Sequence, residues 1–195
     1  MKKLNDNYGF TIVELLIATV VFSVVLIGLV GAVTFISSSF TKGSLESKTQ
    51  STARIDIQKI GQQIQLEGGQ VSPPNTLSGS EQYICVGDTR FTFELNTNNF
   101  TEQAFPNCTS STSTSSSELT SLLSTNMVLG QFSVVGNNGL YTIHLLIGYG
   151  TESNGELIAS DTSGNYTYSC QNSFLGAGAY CAVSDLTTVV DQRQN

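Results

Sequence analysis

The residue whose chemistry is hardest to accommodate in this chain is Glu14, a carboxylate placed near the start of a 27-residue apolar run from Phe10 to Ile36. No ionisable side chain follows it between Leu15 and Thr41. A charge inside a spanning helix costs on the order of 2.5 kcal/mol or more at depth and less near the interface, so Glu14 calls for a partner. Four cysteines, Cys85, Cys108, Cys170 and Cys181, are the next reactive groups. Outside the membrane they can oxidise, and four allow three connectivities. Both intervals are local, which favours Cys85 with Cys108 and Cys170 with Cys181. Metal binding by these thiols is disfavoured, because no C-x-x-C occurs and the single histidine, His144, sits in an apolar run. Asp161, Glu152 and Glu156 share a Gly-, Ser- and Asn-rich stretch, yet their spacing is not that of an EF-hand and a solvated loop is the simpler reading. There is no H-E-x-x-H, no G-x-S-x-G and no phosphate-cradling loop, so no metal, cofactor or catalytic residue is expected.

The elements that carry these residues begin with the apolar run itself. It exceeds the roughly 20 residues a membrane-crossing helix needs. A polar leader with Lys2 and Lys3 precedes it, which puts residues 1–9 in the cytoplasm and the C-terminal part outside by the positive-inside rule. An ordinary secretory signal is disfavoured, since the run is about twice the usual apolar length and no A-x-A site follows. No proline occurs between the run and Pro73, so the helix is expected to continue to about Glu67, roughly 85 Å at 1.5 Å per residue. Ala53, Ile57, Ile60 and Ile64 recur at helical spacing, extended backward by Thr49 and Leu45, and define a face that a sheet should cover. Ile55 and Leu66 point the other way, toward a loop or a neighbouring subunit.

Beyond Gly68-Gly69 and Pro73-Pro74 the pattern changes to β. Residues 81–95 read as a hairpin turning at Gly87-Asp88, and residues 128–149 as a second, turning within Gly136 to Gly139. His144 falls in the second strand of the latter, as a packed or edge histidine. Residues 109–126 are Ser/Thr-rich and read as a surface loop with one helical turn, packing only through Leu119, Leu122 and Leu123. A final strand is expected over Ala182 to Val190.

At GFTIVELLIA, residues 9–18, the sequence resembles the signal of type IV pilins and of the pseudopilins of type II secretion. The resemblance implies a cut between Gly9 and Phe10 by a membrane aspartyl protease, the prepilin peptidase, and N-methylation of the new terminus at Phe10. It also gives Glu14 its partner. The amine freed at Phe10 is cationic, and Glu14 can neutralise that of a neighbouring subunit or that of its own chain. Partners implied in the same way are other pilins, a platform protein and an assembly ATPase. In that family a proline often stands at the twenty-second mature residue; here the position is Gly31, with Gly28 one turn earlier, a spacing suited either to weakening the helix or to close helix packing. Past residue 36 the likeness is architectural, with the stretch from Ala53 to Gly69 resembling minor pilins and pseudopilins of the J or W type.

The fold expected is α+β, a long N-terminal transmembrane helix packed on an antiparallel β head. Its division is a leader over 1–9, a membrane half of the helix over 10–36, an amphipathic continuation over 37–67 and a disulfide-bearing extracytoplasmic head over 68–195. The net charge of −7 is concentrated in that head, where residues 68–195 carry two basic and ten acidic side chains. Direct nucleic-acid binding by the head is therefore not expected, since phosphate neutralisation dominates such binding. The expected function is a structural filament subunit, a minor pilin or pseudopilin, assembled on a membrane and in a pilus or secretion filament. The competing reading is a membrane-tethered binding protein that does not polymerise.

Overall fold

The sequence's helical pattern is continuous from the apolar run to the first glycine pair, and the helix follows it. In the computed structural model, which describes residues 10–67, 71–105, 108, 119–150, 157–162, 165–171 and 180–192, a single helix α1 spans Ile12–Glu67. It passes Gly28, Gly31, Gly43 and Gly61 without interruption, because glycine weakens a helix but keeps its N–H, whereas proline removes it. The expected end at Gly68-Gly69 lies outside the described residues. The chain forms two compact units that meet between Phe40 and Thr41, inside α1.

In the first unit, the apolar side chains from Ile12 to Ile36 are exposed, and this helix is long and apolar enough to cross a membrane. Four of its hydroxyls are satisfied within the helix: Thr19, Ser23, Thr34 and Ser38 each donate to a carbonyl three or four residues back. That is how a spanning helix carries Ser and Thr without exposing a free donor to lipid.

The second unit is an antiparallel β head on the remaining part of α1. Strands β1 (Asn75–Ser78), β2 (Glu81–Val86), β3 (Thr89–Phe93), β4 (Phe100–Ala104) and β5 (Thr120–Ser121) form one sheet in sequence order. Strands β6 (Met127–Asn137), β7 (Leu140–Tyr149) and β10 (Ala182–Asp191) form a second, ordered β10-β7-β6, and β8 (Leu157–Thr162) pairs with β9 (Asn165–Cys170). Both expected hairpins are present. The turn of the second has positive φ at Asn138 (52°) and Gly139 (85°), the pair of left-handed residues a two-residue type I′ turn needs.

One core joins α1 to both larger sheets. Thr49, Ala53, Ile57, Ile60 and Ile64 are buried as their spacing requires, with Ile84, Phe91, Phe93 and Phe100 from one sheet and Phe132, Ile143, Leu145 and Ile147 from the other. Phe132 is its aromatic centre, 5.0 Å from Phe100, 5.2 Å from Phe93 and 6.4 Å from Phe91 between ring centroids. Gly61 lets α1 approach β10, since a Cβ there would lie 3.3 Å from Val190 Cγ1. Ile55 and Leu66 remain 59% and 73% exposed, so no described loop covers them.

Three expectations are corrected. The described part of the Ser-rich stretch contains no helical turn: Thr120 and Ser121 pair with β4, because that edge offers free backbone groups, while residues 109–118 lie outside the description. Of its leucines, Leu123 is buried and Leu122 packs on the core, but Leu119 is exposed. Asp161 belongs to strand β8 rather than to a loop, and Glu152 and Glu156 fall outside the described residues.

Candidate processing and assembly site

Gly9 and the leader lie outside the described residues, and the description opens at Phe10, 81% exposed, just before the helix. Glu14 already has a partner there. The Thr11 N–H and hydroxyl donate to Glu14 Oε2 at 3.1 and 3.0 Å, and the Glu14 N–H donates to Thr11 Oγ1 at 3.2 Å. The Thr11 carbonyl accepts from the Leu15 N–H at 3.2 Å, which makes Thr11 the N-cap and Glu14 the third residue of the helix. This is a capping box, in which side chain and backbone of the two residues satisfy each other's orphan donors. The carboxylate also sits at the positive end of the helix dipole. Its cost in an apolar segment is thereby reduced within the chain. Thr11 was not singled out from sequence, although a threonine three residues before a glutamate and ahead of an apolar run is the pattern of such a cap.

Residues 4–30 match the family model described as the prokaryotic N-terminal methylation motif. The chain carries a type IV pilin and pseudopilin signal. The signal spans the end of the leader, Gly9, Phe10, the Thr11–Glu14 cap and most of the apolar run. No curated protein and no solved structure matches the chain. A pilin-type signal followed by a span-length apolar helix fits a single-pass membrane anchor carrying a C-terminal head, and it indicates a structural subunit.

The head attached to the pilin signal holds its cysteines in sequential pairs, Cys85 with Cys108 and Cys170 with Cys181. Cys85 lies on the face of the five-stranded sheet that points away from the main core, in register with Arg90 and Gln103. The bridge closes a small second core of Tyr83, Cys85, Phe105 and Cys108 over that face. Arg90, 2% exposed, is held there between the rings of Phe105 and Tyr83, 3.7 and 4.7 Å from their centroids. Stacking on aromatic faces suits a guanidinium, which is weakly hydrated and planar. Its burial leaves the described strands of the head with exposed acids such as Asp161, Asp185 and Asp191 and no exposed cation.

The second bridge ties the β8–β9 hairpin to the start of β10. That hairpin lies on the outer face of the three-stranded sheet, where Gly130 and Gly148 leave room for it. A Cβ at Gly130 would fall 2.5 Å from the Tyr168 ring, and one at Gly148 2.9 Å from both Tyr168 and Leu157. The Tyr168 hydroxyl donates to Asn96 Oδ1 at 3.0 Å and to the Leu129 carbonyl at 3.2 Å, alternative acceptors for one proton. His144 lies on the same outer face of the central strand β7 and meets Asp185 Oδ1 at 2.7 Å through Nε2. Its neighbours in register are Ser133 and Thr187, so it is a paired surface histidine within a sheet. Among the described residues no group of three or more His, Cys, Asp or Glu side chains is arranged to hold a metal ion.

Proposed function

We propose that this chain is a structural subunit, a minor pilin or pseudopilin, of a type IV pilus or type II secretion-type filament. The methylation motif over residues 4–30 carries the reading. In it, prepilin peptidase cuts between Gly9 and Phe10 and methylates Phe10. Glu14, pre-positioned by Thr11 through Oε2, then pairs with the Phe10 amine of a neighbouring subunit as the apolar helices bundle into a filament core. Each charge relieves the other's desolvation, which an unpaired charge in hydrocarbon would bear in full. A platform protein and an assembly ATPase acting from the cytosol are the further partners, and the acidic head faces outward. The minor or pseudopilin role is preferred to a major one because the Ser-rich insertion makes the head bulky for dense stacking.

Mass spectrometry of the N-terminus of protein isolated from its native membrane tests this. N-methylated Phe10 is expected. An intact Met1, or cleavage beyond Ser37, would instead favour a tethered protein that never polymerises. A Gly9→Ala variant should be processed better than Gly9→Val, since the peptidase site takes a small residue.

A further inference from the structure

Asp56 occupies the buried stripe of α1 between Ala53 and Ile60 and is only 3% exposed, yet its Oδ2 has no hydrogen-bond partner. One turn on, Lys59 forms an ion pair with Glu102 Oε1 of β4. Glu102 stands on the core side of the five-stranded sheet, in register with Phe91 and Thr120, and its Oε2 is also buried without a partner. The charged groups that act on Asp56 are Lys59 from its own helix and Glu102 from β4. The neighbours one turn away on the helix, Thr52, Ala53 and Ile60, and those in register with Glu102 carry no charge. One cation thus serves two carboxylates, and it is committed to Glu102. An ionised Asp56 would be a buried charge without compensation, which proteins avoid by taking up a proton.

We propose that Asp56, Lys59 and Glu102 form a proton-operated latch between α1 and β4, closed when Asp56 is protonated and loosened when it ionises. Burial of Asp56 pushes its carboxyl up to about 7 from 3.8, with Lys59 acting to lower it and Glu102 to raise it further. The folded head therefore holds a proton that the unfolded chain has released between about pH 4 and pH 7. Stability supplied by this group is complete below that window, falls as pH rises through it and is flat above. The latch does not depend on the filament reading, because all three residues belong to the second compact unit, beyond the apolar run.

The test uses the full chain in detergent micelles, melted from pH 5 to pH 8.5 beside Asp56→Asn. All other ionisable groups are common to the two proteins, so the quantity read is the difference between them. Asp56→Asn, neutral at every pH, should gain on the wild type as pH rises, the gap widening by roughly a hundredfold in the folding equilibrium between pH 5 and pH 8. Glu102→Gln frees Lys59 for Asp56 and should move the transition to lower pH. A carbon-13 titration of the Asp56 carboxyl in the wild type reads the proton directly, without any variant having to fold, and should show it protonated at pH 5.5. A wild-type to Asp56→Asn gap that does not change with pH, a transition unmoved by Glu102→Gln, or an Asp56 carboxyl already ionised at pH 5.5 would each overturn the latch.

Discussion

The seat of the β8–β9 hairpin can be tested at Gly130. A methyl group there would stand 2.5 and 2.9 Å from Tyr168 ring carbons and 2.8 Å from Leu146 Cδ2, distances that real Cβ atoms do not adopt. Tyr168 cannot yield without cost, because its hydroxyl is anchored to Asn96 Oδ1 and to the Leu129 carbonyl. Overpacking of this kind costs about 1–3 kcal/mol, and losing the hydroxyl's anchorage adds about 0.5–1.5 kcal/mol. Gly130→Ala should therefore destabilise the head by about 2–4 kcal/mol. Tyr168→Phe, which keeps the ring and removes only the hydroxyl, should cost about 1 kcal/mol. The informative variant is the double one: with Tyr168→Ala in place the ring is gone, the added methyl meets only the rotatable end of Leu146, and Gly130→Ala should cost much less. Denaturant titrations of the four proteins of that cycle give a coupling of about 2 kcal/mol if the steric account holds. Additive single effects, or a Gly130→Ala variant as stable as the parent, would show that the hairpin does not rest on the glycine.

At the processing site, Glu14→Ala and Glu14→Gln should leave insertion and leader cleavage intact and reduce assembly, read by comparing sheared-fibre and membrane fractions; normal fibre levels would remove the carboxylate from the assembly contact. Insertion should become easier, since a charge of about 2.5 kcal/mol at depth is removed. Thr11→Val deletes two of the three capping-box bonds and should weaken the first helical turn by about 1 kcal/mol, visible as faster amide exchange at residues 12–15. Cys170→Ser with Cys181→Ser should lower head stability by about 2–3 kcal/mol by the chain-entropy model for a short loop, and non-reducing peptide mapping of the parent should give no crossed links.

What could be read in advance follows the range of the physics involved. The buried stripe from Thr49 to Ile64, the two long hairpins and the last strand announce themselves through periodicity and turn residues, which are local. Strand β4, Phe-Thr-Glu-Gln-Ala, does not, because Glu102 faces the core only by virtue of Lys59 and Gln103 lies in register with the buried Arg90 on the other face. The β8–β9 hairpin is equally quiet, since it packs through Leu157 and Tyr168 onto glycines far away in sequence. Asp56 was legible in one respect: Thr49, Ala53, Asp56 and Ile60 step by four, three and four, which places the carboxylate inside the stripe. Its lack of a counter-charge depends on where Glu102 arrives, and no local pattern holds that. Glu14 shows the reverse error. The cost of its charge points to a distant partner, whereas short-range hydrogen bonds from Thr11 already meet part of it.

The two bridges also set how the head would respond to tension along the chain. Cys85 and Cys108 are 23 residues apart in sequence but 5.8 Å apart between Cα atoms, and Cys170 and Cys181 are 11 apart in sequence and 5.6 Å in space. A pull entering through α1 and leaving toward the C-terminus crosses each gap through sulfur. Strands β3 and β4 and the segment leading to β10 therefore carry no load even when the rest of the head is drawn out. Extended chain reaches about 3.4 Å per residue, so the bridges keep roughly 70 Å and 30 Å of length out of play until they are reduced.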